Sequence, residues 1–149
     1  MSSEALFLVV NLGVLPFWAL MVFAPGWVVT RRVMGSPLAP AALAVLYTAL
    51  VAPLLPAMLP GLVQLPDLSV IAPFLGTPQG ALLVWVHAVA FDLFVGRWEY
   101  LDARERGVPH WALAPSLLLT LYFGPMGLLL YLGLKRLTAP SGGPPAPAP

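Results

Sequence analysis

The chain has no cysteine. That excludes a disulfide framework, a thiol nucleophile and a cysteine-based metal site. Charge is nearly as scarce. Asp, Glu, Lys and Arg make up 9% of the 149 residues, whereas a soluble domain carries roughly a quarter. The net charge of +1 argues against a nucleic-acid partner. The glycine fingerprints for dinucleotides and phosphates are missing, as are HExxH and GxSxG. His87 and His110 are too far apart to form a metal pair at helical spacing. Neither a metal nor a cofactor is expected.

What the chain does have is apolar length. Hydrophobic residues are 60% of the sequence and the mean hydropathy is +0.90. Four apolar runs come close to the ~20 residues that cross a bilayer. The expected fold is an all-α membrane protein, a four-transmembrane-helix bundle over residues 1–137. The spans fall at about 5–24, 40–60, 79–98 and 111–134. Prolines inside the runs would kink the helices, and neighbours must then satisfy the freed carbonyls. The first run follows Met1-Ser-Ser-Glu4, an acidic start unlike the basic leader of a signal peptide, so it reads as a retained span. Pro25-Gly26 ends it, and Arg31 and Arg32 form a basic loop. Gln64 to Thr77 mixes prolines with an apolar stretch, Leu68 to Leu75, and reads as a cap or short interfacial helix at one bundle end. Residues 99–110 read as a charged connection and 138–149 as a disordered Pro/Gly/Ala-rich tail. With four spans, Arg31, Arg32, Arg97, Arg104 and Arg106 share one face while Lys135 and Arg136 lie opposite. The excess of arginine puts both termini outside.

The third run carries the polar cluster. An ionisable side chain at bilayer depth costs roughly 3 kcal/mol or more, so His87 and Asp92 should face the bundle interior and be paired. At about 100° per residue, His87, Phe91, Phe94 and Trp98 form one stripe, and Asp92, Gly96 and Glu99 form another. Arg97 lies on a third face. Partners for Asp92 would come from other spans: Asn11, Tyr47, Tyr122 or the loop arginines. Plainer readings stand beside each assignment. His87 would serve as a packing histidine, Asp92 as half of a structural ion pair, and the aromatic stripe as packing. Arg97 and Asp102, at a helix end, would simply reach for water. His110, after Pro109 at the start of the fourth run, reads as interfacial.

Several segments together resemble a known family. They are Leu15-Pro-Phe-Trp18, Met21-Val-Phe-Ala-Pro25, the run from Trp85-Val-His87 through Asp92-Leu-Phe to Arg97-Trp98, then Asp102, and Phe123-Gly-Pro125-Met-Gly127. This pattern is similar to the small membrane family of plant and cyanobacterial neoxanthin synthesis, named for abscisic-acid deficiency. The resemblance covers nearly the whole chain except the tail. It implies four membrane helices and a role in carotenoid metabolism. The reaction it implies opens a 5,6-epoxide to an allene and a tertiary alcohol, with no net redox change and no cofactor. Such an isomerisation needs an acid at the epoxide oxygen and a base at the polyene carbon. On that reading Asp92 is the acid, His87 the base, and Arg97 polarises an oxygen or holds Asp102. Asn11, Trp85, Phe91, Phe94, Trp98 and Tyr122 would line the slot for a lipophilic polyene. The heavy use of Ala, Leu and Pro suggests a bacterial inner membrane. Two other functions fit the composition. One is a small transporter with Asp92 and His87 as a proton relay, and the other is an assembly partner of another membrane protein or an oligomer of itself.

Overall fold

The computed structural model describes residues 2–62, 65 and 67–138. The expectations for Gln64 and Pro66 and for the tail from residue 139 fall outside those residues. The described chain is helical throughout. Helix α1 is Ser3–Phe23, α2 Val28–Gly35, α3 Leu38–Val51 and α4 Leu55–Leu62. A 3₁₀ turn at Ala52–Leu54 links α3 to α4 where Pro53 cannot donate a backbone hydrogen bond. Helix α5 is Leu68–Leu75, α6 Pro78–Arg106, α7 His110–Phe123 and α8 Pro125–Thr138. Three helical stretches are long and apolar enough to cross a membrane: Ser3–Phe23, Leu38–Leu59 and Pro78–Arg106.

Local chemistry explains the ends. The Ser2 hydroxyl accepts from the Ala5 amide and starts α1, with Glu4 in its first turn. The Thr77 hydroxyl accepts from Gly80 and starts α6. Gly107, at φ 68°, ends α6 in the left-handed conformation that glycine adopts freely. Asp67 caps α5 by accepting from the amide and hydroxyl of Ser69, and those bonds hold its carboxyl below the ordinary carboxylate range. As expected, α5 is a short helix. It packs at the start of α6, so closely that a Cβ on Gly80 would collide with the Phe74 carbonyl.

Three sequence expectations change. The basic loop is helix α2. The charged connection at 99–110 is mostly helix, because α6 continues to Arg106 and carries Glu99 and Asp102 inward. The single span expected over 111–134 is two helices of 14 residues, broken at Gly124. Each is about 21 Å long at 1.5 Å per residue. They fold back on each other. In one continuous helix Thr120 and Gly127 would lie about 10 Å apart, yet a Cβ on Gly127 would collide with the Thr120 backbone.

Contacts with α6 give the direction of each arm. Thr120 of α7 meets Glu99, and Gly124 meets Asp92. Tyr131 and Lys135 of α8 then meet Asp102. The hairpin therefore enters from the C-terminal end of α6, turns level with Asp92 and returns. Asp92 is the midpoint of α6.

The larger core lies on the hairpin side. Trp18 and Met21 of α1 pack with Met34, Leu93, Tyr100, Leu117 and Tyr131. Gly96 permits this, since a Cβ there would strike the Trp18 ring. A smaller cluster of Val10, Leu82 and Val86 holds the other end. Carbonyls at the end of α1 and in the two residues after it are satisfied from three directions. His110 Nε2 donates to Val22 at 2.8 Å, Thr30 to Ala24 at 2.7 Å and Tyr100 to Pro25 at 2.7 Å. His110 thus ties the start of α7 to the end of α1.

Candidate active site

A cavity of about 260 Å³ opens between α1, α6 and the tip of the hairpin. Asn11, Val14, Leu15 and Trp18 line it from α1, Trp85, Val89 and Asp92 from α6, and Leu121 and Tyr122 from α7. The polar groups are ordered from the first helix inward. Asn11 Nδ2 donates to the Phe7 carbonyl at 2.7 Å, which fixes the amide. Its Oδ1 then accepts from Trp85 Nε1 at 3.2 Å. The Phe7 ring packs on Trp85 with centroids 5.1 Å apart.

Asp92 is half-buried and makes no hydrogen bond or ion pair among the described residues. Its carboxyl lies over Gly124, where a Cβ would collide with it. A carboxyl midway along an apolar helix, free of partners and open to a cavity, is available for proton transfer.

The sequence placed ten side chains at the site, and the fold gathers four of them: Asp92, Asn11, Trp85 and Tyr122. His87 is not among them. It is exposed on the outer face of α6, between the rings of Tyr47 and Phe91 at 5.4 and 4.8 Å. Five helical positions separate it from Asp92 by about 140° around the axis, so His87 does not face the bundle interior as expected and does not share a site with Asp92. Phe91, also exposed, shares the His87 face. Phe94 and Trp98 line a separate apolar groove of about 390 Å³ with Val95, Leu128 and Leu132, between α6 and α8.

Arg97 does not hold Asp102. Its Nε and Nη2 donate to the Ser36 and Gly35 carbonyls at 3.1 and 3.0 Å and cap the end of α2. Asp102 instead anchors the hairpin's return arm. It accepts from Tyr131 at 2.6 Å, from Lys135 at 2.8 Å and from Arg106 at 2.8 Å. Lys135 also sits over the Trp98 ring at 5.2 Å.

Glu99 is a residue whose role the sequence did not indicate. It is fully buried, and the Thr120 hydroxyl lies 2.9 and 3.1 Å from its two oxygens. The signal was present, because Glu99 is seven residues from Asp92 and so lies on the same stripe. Gly124 and Gly127, whose lack of a Cβ lets the hairpin close, were part of a recognisable motif, but their role depends on the fold-back.

Among the described residues no group of three His, Cys, Asp or Glu side chains could hold a metal ion.

Comparisons with known proteins agree with the motifs. The ABA DEFICIENT 4-like family matches residues 5–131. The chain is 31% identical over 140 residues to the Arabidopsis thaliana protein ABA DEFICIENT 4, chloroplastic. That alignment takes in 91% of this chain and 62% of the relative, so the chain spans about three-fifths of the relative's length. No solved structure matches. With the family pattern running through both the cavity and the hairpin, the chain belongs to the ABA DEFICIENT 4-like family.

Proposed function

We propose that this protein is an integral membrane protein of carotenoid metabolism that takes the end group of an epoxy-carotenoid at Asp92 and isomerises it. The carrying observation is the Asp92 carboxyl, without a partner among the described residues, in the cavity of Asn11, Trp85 and Tyr122. Family membership supports a place in carotenoid metabolism, and the long apolar helices favour a membrane setting. The cavity volume suits part of such a molecule. Sites that enclose a drug-sized ligand run from about 300 to 1,000 Å³, so about 260 Å³ accommodates a single ring and its epoxide. The polyene would leave past Leu15 and Trp85, both exposed, into lipid.

The chemistry needs one proton delivered and one removed. Asp92, as the acid, protonates the epoxide oxygen and the carbon–oxygen bond breaks. Loss of the adjacent polyene proton then forms the allene. The second carboxylate oxygen of Asp92 accepts that proton, which restores the acid and balances the reaction. Asn11 and Tyr122 would hold the ring's oxygen atoms. His87 is outside the cavity, so in this reading it does not serve as the base.

The test is expression in a host that accumulates an epoxy-carotenoid, followed by pigment analysis by chromatography and mass. The expected product has unchanged mass and altered retention and absorption. Asp92→Asn should abolish it at normal protein yield. Full activity in that variant would remove Asp92 from the chemistry. A second reading, an assembly partner of another membrane protein, draws on the Leu38–Leu59 stretch, where Pro40 is the one buried residue among those described. No product from this chain alone, together with a co-purifying membrane protein, would favour it.

A further inference from the structure

All seven lysines and arginines lie at one end of the molecule. Arg31 and Arg32 are on α2, which packs at the end of α1 through Thr30. Arg97 caps α2, and Arg104 reaches the Pro25 carbonyl at 3.3 Å. Arg106 and Lys135 bind Asp102, and Arg136 follows Lys135. The hairpin causes this gathering. A straight fourth span would have carried Lys135 and Arg136 to the far side, but the fold-back returns them to the arginines. The opposite end has Glu4 and, at the start of α5, Asp67.

A second feature marks the same end. Trp27, Trp98 and Trp111 are exposed there, at the starts of α2 and α7 and toward the end of α6. Tryptophan favours the headgroup level of a bilayer, and cations favour the anionic leaflet just beyond. Arg31, Arg32 and Arg136 are exposed and have no hydrogen bond or ion pair among the described residues.

We infer that this end is a docking surface for anionic phospholipid headgroups, that it faces the cytoplasmic-type leaflet, and that the chain crosses the bilayer three times with Ser3 and Thr138 on opposite sides. Helices α1, α3–α4 and α6 cross. The α7–α8 pair enters from the basic side and leaves by it. Arg31, Arg32 and Arg136 supply the free charge for phosphate, and the tryptophans set the depth. The inference rests on insertion in a bilayer and not on the isomerase reading. Resistance to alkaline carbonate extraction checks insertion separately.

The absence of native cysteine gives a clean test. Single cysteines are placed at Ser69, Glu105 and Thr138 and labelled in intact cells with a membrane-impermeant maleimide, before and after permeabilisation. The hairpin predicts that Glu105→Cys and Thr138→Cys share one side and Ser69→Cys takes the other. Thr138→Cys labelling with Ser69→Cys would overturn it in favour of four crossings. The lipid arm uses the intact protein in phosphatidylcholine vesicles with brominated phosphatidylglycerol or brominated phosphatidylcholine, read by tryptophan quenching. Each exposed arginine adds about a fivefold preference for an anionic surface. Three such arginines give the native chain a preference for phosphatidylglycerol of up to about a hundredfold, and the R31Q/R32Q/R136Q variant should approach parity. Equal quenching by both lipids in the native chain would overturn the headgroup assignment. So would full competition by inorganic phosphate, which would identify a site for free anions.

Discussion

Asp92 and His87 stand five residues apart on one helix, and that offset decides which of them can act at the cavity. Asp92 turns toward the hairpin tip and His87 turns outward to Tyr47 and Phe91. Asp92→Asn keeps the shape and removes the proton, so product formation should fall about 100-fold or more, the usual loss for a general acid or base. His87→Ala should retain most activity and full yield. Pigment analysis with immunoblotting of the membrane fraction separates the two outcomes, and loss of product in His87→Ala at normal yield would return the histidine to the mechanism. Gly124→Ala tests the same point from the other side. Its methyl group would be forced against the Asp92 carboxyl, so activity should drop although no polar group is removed. Equal activity in Gly124→Ala would show that Asp92 need not lie over the tip.

At the scale of elements, the hairpin depends on close backbone approach and on two buried carboxyls. Gly127→Ala would drive a methyl group into the Thr120 backbone, and overpacking of this kind costs about 1–3 kcal/mol. Thr120→Val keeps the volume but leaves Glu99 without its hydroxyl donor, at a cost of about 1–3 kcal/mol for the stranded group. Both should lower the thermal midpoint of the detergent-solubilised protein, whereas Thr120→Ser, which keeps the hydroxyl on Glu99, should lie closer to the native value than Thr120→Val. The helix α5 cap behaves differently. Asp67 has a lowered pKa, so its contribution is present above the ordinary carboxylate range and is lost as pH falls through the lowered value. Hydrogen-exchange protection at Ser69 and Val70, corrected for the slowing of intrinsic exchange at low pH, should fall on acidification below that range.

Part of this was legible in the residues. The helical class and the long apolar helix α1 followed from apolar length, and α5 from a short apolar run between prolines. The rest required three-dimensional partners. Glu99 and Asp102 looked like a loop because buried carboxyls are costly, and it takes Thr120, Tyr131, Lys135 and Arg106 to make them affordable. Residues 111–134 looked like one span because hydropathy does not register direction. Gly124-Pro125, a recognised breaker pair, was the one local sign of a turn. Which face of α6 looked inward could not be read from periodicity either, since polar and aromatic stripes both have reasons to be buried.

Packing across the whole molecule is uneven, and the imbalance bears on how a long lipophilic substrate would enter. Among the described residues, the hairpin end holds thirteen buried apolar residues in one cluster, whereas the other end holds three. In a bilayer, unfolded helices would stay in lipid, so moving a leucine from core to lipid would gain little and the transfer cost of truncating it would shrink. The cavity left behind still costs, and it costs most where neighbours cannot collapse into it. Leu117 is fully buried in the large cluster. Leu82 lies in the small one, beside the partly buried Leu46 and Leu50 of the lightly packed α3. Leu117→Ala should therefore cost about 2 kcal/mol or more, the lower part of the range for buried leucines, and Leu82→Ala distinctly less. Reversible unfolding in mixed micelles, with the same probe for both variants, gives the comparison. Equal losses would mean that the α3 end is as tightly held as the hairpin end. Unequal losses in the predicted order would place the looser packing on the side of the cavity away from the hairpin, where α1, α3 and the first half of α6 could part to admit a ring while Asp92 stays fixed against Gly124.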